Sequence, residues 1–291
     1  MNKNKMLPTD TFKDKTILVT GGGTGLGKSI SKHILELGGK IIITSRRNEV
    51  IEKTANEFNE LYPNSTLHIA GDVREIKDVE NVINTGFEKF GNIDMLINNA
   101  AGNFISPTER LSANAFSSII DIVLKGTCNY TLTLGKKWIK NKIHGNILNV
   151  TTTYAFTGSG YVVPSAAAKG GVLTLTKSIA AEWAKYNIRC NAVAPGPFPT
   201  EGAWSRLVPP GFSKFFDIKK RIPLKRVGEH QELANLCAYL LSDYSAYITG
   251  EVITIDGGEW MYNAGQFTWL DKVPSKLWGF IEKTIRKKNK W

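Results

Sequence analysis

The most informative stretch of this sequence is TILVTGGGTGLGKSI, residues 16–30. It starts as a short apolar run typical of a buried strand and ends in a segment with helical spacing. Between the two, Gly21, Gly25 and Gly27 form a G-x-x-x-G-x-G turn. Such glycines let the backbone approach a pyrophosphate, and the N–H groups at the start of the helix favour an anion. The stretch therefore predicts the first βα unit of a dinucleotide-binding fold, although glycines can also serve turn geometry alone. The predicted cofactor contacts here are Gly21, Gly23, Thr24, Gly25, Leu26 and Gly27.

Outward from this turn, short apolar runs alternate with longer amphipathic segments. The predicted strands are 15–21, 40–45, 67–71, 93–99, 145–152, 188–195 and 251–257, and the predicted helices include 25–38, 74–90, 113–141, 164–186 and 230–242. This alternation predicts βαβ units and a parallel sheet with helices on both faces. No linker or internal repeat divides the chain. We expect one α/β domain at 12–258, a Rossmann-like doubly wound parallel sheet, and a short, basic helical extension at 259–291.

Composition restricts the classes of protein. The 291 residues are 42% hydrophobic, enough for a full core, and the net charge of +11 favours anionic partners such as phosphates. No segment has the roughly 20 apolar residues of a membrane helix, and the first residues do not resemble a secretory signal or transit peptide. Cys128, Cys190 and Cys237 lack metal or redox spacing, so we expect reduced thiols, no metal site and a cytoplasmic location. No nucleic-acid-binding motif is present, so nucleic acid is not expected as a partner.

The end of the second predicted strand discriminates between nicotinamide cofactors. Enzymes that use NAD tend to carry an acidic residue there, whereas this chain has Ser45, Arg46 and Arg47. Two guanidiniums suit a ribose 2′-phosphate, which predicts NADPH, although surface arginines are the alternative. After the third strand, Asp72 is either an adenine contact, together with Val73, or a helix N-cap.

Several motifs together resemble the short-chain dehydrogenase/reductase family. They are TGGGTGLG, GDV, INNA, Lys169, NAVAPG at 191–196 and ITGEVITIDGG at 248–258. The resemblance implies a seven-stranded parallel sheet and a homotetramer. It also implies cofactor contacts at Asn99, Lys169, Pro195, Gly196, Pro197 and Phe198.

The departures from the family pattern are equally specific. Ala101 occupies a glycine position, Val123 replaces the helix asparagine, Thr152 falls at the usual serine, and Ser165 replaces the tyrosine that lies four residues before the lysine. An ordinary carbonyl reductase needs that tyrosine. With these departures, the chain resembles one branch of the family, the NADPH-dependent 2,4-dienoyl-CoA reductases of the mitochondrial type. The stretches that carry this resemblance are NNAAGNFISPTERLS, TTTYAFTGSGYVVPSAAAK and PGPFPTEGAWSRL.

This branch implies a particular active site. Tyr154 is the acid, Asn103 is its partner, Lys169 holds the nicotinamide ribose, and Ser165 helps to position a water. Tyr161 is a less favoured candidate for the acid. Substrate contacts are implied at Arg74, Phe104, Ser112, Tyr154 and Arg206, although Ser112 could equally be a helix N-cap. The proline-rich segment 207–224 is a candidate substrate lid.

The resulting functional prediction is NADPH-dependent reduction of 2,4-dienoyl-CoA thioesters to trans-3-enoyl-CoA, as in β-oxidation of unsaturated fatty acids. The alternatives are a trans-2-enoyl-CoA reductase, a 3-oxoacyl reductase, and a non-catalytic NADP(H)- or RNA-binding protein on the same scaffold. Beyond Gly258 the resemblance weakens. There Leu277, Ile281 and Ile285 form one helical stripe among basic residues. It predicts a helix that docks on its own body or on a neighbouring subunit, with a membrane-surface helix as the alternative.

Overall fold

The computed structural model describes residues 6–200 and 217–289, with side chains of the last helix described as far as residue 285. The described residues form one seven-stranded sheet in the order β3-β2-β1-β4-β5-β6-β7, and every neighbouring pair of strands is parallel. The strands are β1 Thr16–Thr20, β2 Lys40–Ser45, β3 Thr66–Ala70, β4 Met95–Asn98, β5 Asn146–Val150, β6 Arg189–Pro195 and β7 Val252–Ile255. The predicted doubly wound parallel sheet is confirmed.

Ten α-helices are assigned in the described ranges. They are α1 Gly25–Glu36, α2 Asn48–Leu61, α3 Ile76–Phe90, α4 Ala113–Ile120, α5 Gly126–Asn141, α6 Tyr154–Thr157, α7 Val163–Trp183, α8 His230–Leu241, α9 Glu259–Ala264 and α10 Ser275–Asn289. Short 3₁₀ turns lie at Thr108–Arg110, Ala184–Tyr186, Ile218–Arg221, Asp243–Ser245 and Thr268–Lys272. The loops that follow β1, β4, β5 and β6 lie at the carboxyl edge of the sheet, where ligands of open parallel sheets bind.

Successive strand residues are buried on opposite faces because side chains alternate along a strand. In β1, Ile17 and Val19 join a core that includes residues of α1, α2 and α8, whereas Leu18 joins a core with residues of α3, α5 and α7. All three side chains are fully buried. Helices therefore cover both faces, which explains why the strands read as continuous apolar runs.

The long helix predicted at 113–141 is interrupted. A π-helical turn at Asp121–Lys125 lies between α4 and α5, and Val123 is fully buried within it. Val123 packs with Ile119, Ala168 and Val172 in a small separate apolar cluster. Hydrophobic spacing does not report one inserted residue, and such π-turns often occur at functional sites.

The C-terminal extension packs on the domain at its start and exposes several apolar side chains near its end. In α9, the Trp260 ring stacks on Phe156 of α6, with ring centroids 4.7 Å apart and planes 11° apart. Further on, Leu277, Phe280 and Ile285 of α10 are 50%, 71% and 53% exposed. Of the expected stripe, Leu277 and Ile285 are about half exposed, whereas Ile281 is partly buried. Across that part, no helix combines the length and hydropathy required to traverse a bilayer.

Candidate active site

The glycine-rich turn between β1 and α1 is closed by an asparagine that directly follows β4. The side-chain amide of Asn99 donates to the carbonyl oxygens of Thr20 and Gly21, at 3.0 and 3.1 Å. Gly21 has a φ of +67°, a conformation that favours glycine. A methyl group on Gly27 would overlap the Gly21 carbonyl oxygen and the Asn99 amide. The turn therefore leaves the backbone bare at the start of α1, which fits a cofactor pyrophosphate. Asn99, predicted as a cofactor contact, holds the turn itself.

The two arginines after β2 are available to an anion. Arg46 and Arg47 are both exposed at the carboxyl end of the strand, and neither forms a salt bridge with a described residue. The Arg47 backbone N–H donates to the Ser45 hydroxyl oxygen, 3.3 Å away, so Ser45 shapes this turn. This donor set fits a ribose 2′-phosphate beside the glycine-rich turn.

The N-cap alternative for Asp72 is wrong, because the N-cap of α3 is Glu75. The Asp72 carboxylate instead accepts two hydrogen bonds from the Arg74 guanidinium, 2.6 and 3.0 Å from Nη2 and Nε to Oδ2. The hydrogen bond from Arg74 is the main reason why the pKa of Asp72 is lowered, and the nearby charge of Arg46 adds to the effect. Arg74 and Asp72 thus orient each other just after the carboxyl end of β3. Val73 is 7% exposed, so only its backbone can meet a cofactor.

The predicted acid and its partners meet at the carboxyl end of β5. Tyr154 is the first residue of α6, and its phenolic oxygen lies 3.0 Å from the Ser165 hydroxyl oxygen in the first turn of α7. From the loop after β4, the Asn103 side-chain amide donates to the same phenolic oxygen at 3.4 Å. Burial raises the pKa of Tyr154, while its hydrogen bonds with Ser165 and Thr152 act in the opposite direction. The phenol is therefore a neutral hydrogen-bond donor near neutral pH.

Lys169 follows Ser165 by one turn of α7. It is buried, and its ammonium donates to the Val150 carbonyl oxygen at the end of β5. Burial lowers the pKa of Lys169 to about 8. Val123 presents only methyl groups at the position where the family has a polar asparagine. The change from asparagine to valine therefore makes that position an apolar contact.

Of the other predicted site residues, some have a structural role in this fold, and for others substrate contact stays a prediction. Ser112 is the N-cap of α4, since its hydroxyl oxygen accepts from the Ala115 N–H at 3.1 Å, so the alternative reading is confirmed. Phe104 is partly buried against the apolar cluster around Val123. Tyr161 is 64% exposed with φ +64°, and no described hydrogen bond joins it to Tyr154. Arg206 and the part of the lid segment before residue 217 lie outside the described residues. Substrate contact by Arg74, Phe104 and Ser112 stays a prediction.

The loop after β6 is shaped by alternating prolines. The Gly196 N–H donates to the Ile255 carbonyl at 3.0 Å, and the Phe198 ring is 8% exposed and packs against Gly228. A cofactor can therefore contact the backbone atoms or proline rings of this loop, which comprises Pro195, Gly196, Pro197 and Phe198. The buried phenyl ring of Phe198 is not available for such a contact.

A family model described as enoyl-(acyl carrier protein) reductase matches residues 21–259. With its parallel sheet, glycine-rich turn and buried lysine, the chain belongs to the short-chain dehydrogenase/reductase family. It is thus an oxidoreductase whose fold implies a nicotinamide cofactor.

The relatives are similar over nearly the whole chain. A Caenorhabditis elegans protein named probable 2,4-dienoyl-CoA reductase, (3E)-enoyl-CoA-producing, is 42% identical over 98% of this chain and 94% of its own length. A Bacillus subtilis protein named probable 2,4-dienoyl-CoA reductase, (2E)-enoyl-CoA-producing, is 41% identical over 86% of this chain and 98% of its own. The crystal structure of a short chain dehydrogenase from Bacillus anthracis matches with a TM-score of 0.78 and 42% identity, covering 87% of this chain and 98% of the other.

The relatives bear on two expectations from the sequence, the extent of the resemblance and the cellular location. The match to the C. elegans protein covers 98% of this chain, so it continues into the extension after Gly258, where the resemblance was expected to weaken. A zebrafish relative, 34% identical over 91% of this chain and 88% of its own length, is named peroxisomal. A cytoplasmic location is therefore not a general property of these relatives.

Proposed function

We propose that this protein reduces 2,4-dienoyl-CoA thioesters to trans-3-enoyl-CoA with NADPH as cofactor. The observation that carries the proposal is the convergence of Tyr154, Asn103 and Ser165 at the end of β5, with Ser165 in place of the usual tyrosine. The names of the C. elegans and B. subtilis relatives support it. The unit responsible is the domain at 12–258, with 259–291 as its extension.

The position of the acid follows from where negative charge develops. In a ketone reductase, the reacting carbon carries the oxygen that gains charge, so the acid must lie beside the nicotinamide. In a conjugated dienoyl thioester, reduction starts at the far end of the diene, and the charge develops on the thioester oxygen several bonds away. A phenol on α6, rather than one turn before Lys169, suits that more distant oxygen. Bound NADPH would supply the hydride.

Tyr154 and Asn103 are the proposed donors to the thioester oxygen. Asn103 N–H donates to the phenolic oxygen, and the Ser165 hydroxyl can do the same, which leaves the phenolic hydrogen for the substrate. The raised pKa of Tyr154 keeps that hydrogen in place at neutral pH. Donors of this kind are each worth about 2.7–4 kcal/mol.

Lys169 and Ser165 have the supporting roles. The Lys169 ammonium is fixed by Val150 at the end of β5, where it can hold the nicotinamide ribose hydroxyls. Ser165 lies one turn before Lys169 on α7 and contacts Tyr154 of α6, so it can position the water that protonates the α carbon. Arg74 and Arg206 are the proposed contacts for the CoA phosphates or pantetheine.

NADPH is proposed over NADH because Arg46 and Arg47 follow β2 where an acidic residue would bind a ribose 2′-hydroxyl. Both guanidiniums are exposed beside the glycine-rich turn, and the carboxylate of Asp72, after β3, is paired with Arg74. The positive charge at this corner therefore favours a phosphate.

The proposed assembly is a homotetramer, as the family resemblance implies. Leu277 and Ile285, both half exposed, lie on one apolar stripe of α10 that a second copy of the chain could bury. Light scattering should give four chains for the parent and fewer for Leu277→Glu. Sedimentation of the protein with anionic vesicles, lost in the same variant, would favour a membrane surface instead. The cytoplasmic location also stays a prediction, and imaging of the tagged protein tests it against the peroxisome.

The test of the reaction is NADPH oxidation with 2,4-hexadienoyl-CoA, crotonyl-CoA and acetoacetyl-CoA in parallel. The proposal expects turnover of the dienoyl thioester. Preferred turnover of crotonyl-CoA would favour a trans-2-enoyl reductase, and reduction of acetoacetyl-CoA a 3-oxoacyl reductase. No turnover of any of them would favour an NADP(H)- or RNA-binding protein. The product also needs to be identified, because the B. subtilis relative is named for a (2E)-enoyl product.

A further inference from the structure

The loop after β6 cannot complete its own hydrogen bonds. It reads PGPFP from Pro195 to Pro199, and a proline offers a carbonyl acceptor but no N–H donor. Its carbonyls therefore need donors from elsewhere. The Pro197 carbonyl accepts from the Gly228 N–H at 3.0 Å. Two residues further on, the Pro199 carbonyl oxygen accepts from the His230 side chain, whose Nε2 lies 2.7 Å away.

His230 connects this loop to the glycine-rich turn. Its other ring nitrogen, Nδ1, lies 2.8 Å from the Ser29 hydroxyl oxygen on α1. The Ser29 hydroxyl oxygen also lies 3.1 Å from the carbonyl oxygen of Gly25 in the turn itself, so its single hydrogen is shared between Nδ1 and this carbonyl. Since a carbonyl oxygen only accepts, Nε2 carries the hydrogen in the bond to Pro199. One imidazole at the start of α8 thus bridges two segments that flank the predicted cofactor site.

The end of the bridged loop lies against the turn. A methyl group built on Gly25, which has a φ of +53°, would be 3.2 Å from Cγ2 of Thr200. The Thr200 side chain therefore packs over the bare backbone of the turn. Any loosening of Pro199 moves Thr200 relative to the backbone that faces the pyrophosphate. Nothing in the sequence-based predictions singled out His230, Ser29 or Thr200.

We infer that His230 is a positioning residue for cofactor binding, which holds the β6 loop against the glycine-rich turn through its bond to the Pro199 carbonyl. This inference requires that the protein binds the nicotinamide cofactor of its family, but it does not depend on which acyl substrate is reduced. The role of His230 is distinct from general stability because one donor atom, Nε2, sets the distance between loop and turn. A side chain with a donor at the same position should therefore replace it.

The test compares His230→Leu with His230→Gln, whose amide nitrogen can reach the Nε2 position. The dissociation constant of NADPH, measured by its fluorescence without substrate, should rise about tenfold in His230→Leu and stay within about threefold in His230→Gln. Hydrogen exchange of the amides at Gly196, Phe198 and Thr200, measured by mass spectrometry, should accelerate in His230→Leu alone. At saturating NADPH, kcat should change far less than KM for NADPH. His144→Leu, at an exposed histidine before β5, is the matched control.

Equal NADPH affinity in His230→Leu and the parent would overturn the inference. Equal losses in the leucine and glutamine variants, together with equal falls in melting temperature, would also overturn it, because packing alone would then explain the effect. If His230→Leu does not fold, Ser29→Ala gives a second test. It frees one side of the imidazole without removing the Pro199 bond, and it should raise the NADPH dissociation constant by about threefold. An unchanged value in Ser29→Ala would then contradict the bridge. The dissociation constants and the hydrogen exchange are measured without an acyl substrate, so a different acyl substrate would leave them unaffected.

Discussion

The phenolic oxygen of Tyr154 lies 3.0 Å from the hydroxyl oxygen of Ser165, the residue that replaces the usual tyrosine of this family. The proposed acid therefore lies at the start of α6 rather than in the first turn of α7, and the serine in α7 contacts it. Asn103 reaches the same oxygen from the loop after β4. The site therefore keeps a phenol, but the phenol is displaced from α7 to α6.

Tyr154→Phe should lower kcat by about 10²–10³-fold, because it removes a hydrogen-bond donor to the developing oxyanion. The dissociation constant of NADPH should stay within about twofold of the parent value, since the phenol does not belong to the predicted cofactor site. Steady-state kinetics with 2,4-hexadienoyl-CoA and NADPH fluorescence measure the two effects. Tyr161→Phe is the matched control at an exposed tyrosine nearby. The assignment of the acid would fail if Tyr161→Phe, and not Tyr154→Phe, abolished turnover.

Asn103→Ala should lower kcat by about 10²-fold, and the double variant with Tyr154→Phe should lose less than the product of the single effects. The reason is that Asn103 donates to the phenolic oxygen and is also the proposed second donor to the substrate, so the two residues should act as a unit. A double-mutant cycle on kcat measures the coupling. Strictly multiplicative losses would show that the two side chains act independently.

Replacing Arg46 and Arg47 by Ala should raise KM for NADPH by about 10–100-fold and leave KM for NADH nearly unchanged. Both guanidiniums are exposed and would lose a charge-assisted contact with the 2′-phosphate that NADH lacks. Lys53→Ala, on the exposed face of α2, controls for general loss of positive charge. Parallel increases in KM for both cofactors would argue that the arginines are ordinary surface residues.

Lys169→Met should change how stability depends on pH. Burial lowers the pKa of Lys169 from 10.5 to about 8, so folding favours the neutral amine. The parent therefore gains stability as the pH rises from about 8 to 10.5, by at most roughly 3 kcal/mol, and loses that gain as the pH falls back through 8. Below pH 8 this contribution is constant.

In Lys169→Met the titration is absent, so the difference in unfolding free energy between variant and parent should change only between pH 8 and 10.5. Urea unfolding without cofactor at several pH values measures it. Lys177→Met, exposed on the same helix, is the control and should show a constant difference. The same constant difference for Lys169→Met would mean that the buried lysine keeps its ordinary pKa.

The sheet was predictable because each strand is short, apolar and bounded by turn residues. The strand predicted at 40–45 agrees with β2 at both ends, Lys40–Ser45. The meeting of Tyr154, Asn103 and Ser165 was predictable in part, because the loops after parallel strands share one edge of the sheet. The family resemblance, rather than any local pattern, identified which tyrosine to choose.

Other features depend on contacts that a linear sequence does not display. The π-turn around Val123 inserts one residue without breaking the apolar pattern. Asp72 reads as a helix cap, yet it pairs with Arg74 two residues later and α3 starts after Glu75. Trp260 stacks on Phe156, which is so distant in the sequence that no helical or strand periodicity predicts the contact. Through this contact the start of the extension packs on the domain.

The most direct test of the displaced acid is the position of reduction in one substrate. NADPH deuterated at C4 of the nicotinamide, on the transferred side, is incubated with 2,4-hexadienoyl-CoA, and the product is examined by NMR. The account predicts deuterium at C5 and the remaining double bond in the trans configuration at C3. Deuterium at C3, or turnover of acetoacetyl-CoA with deuterium at its reduced carbonyl carbon and none of the diene, would contradict it.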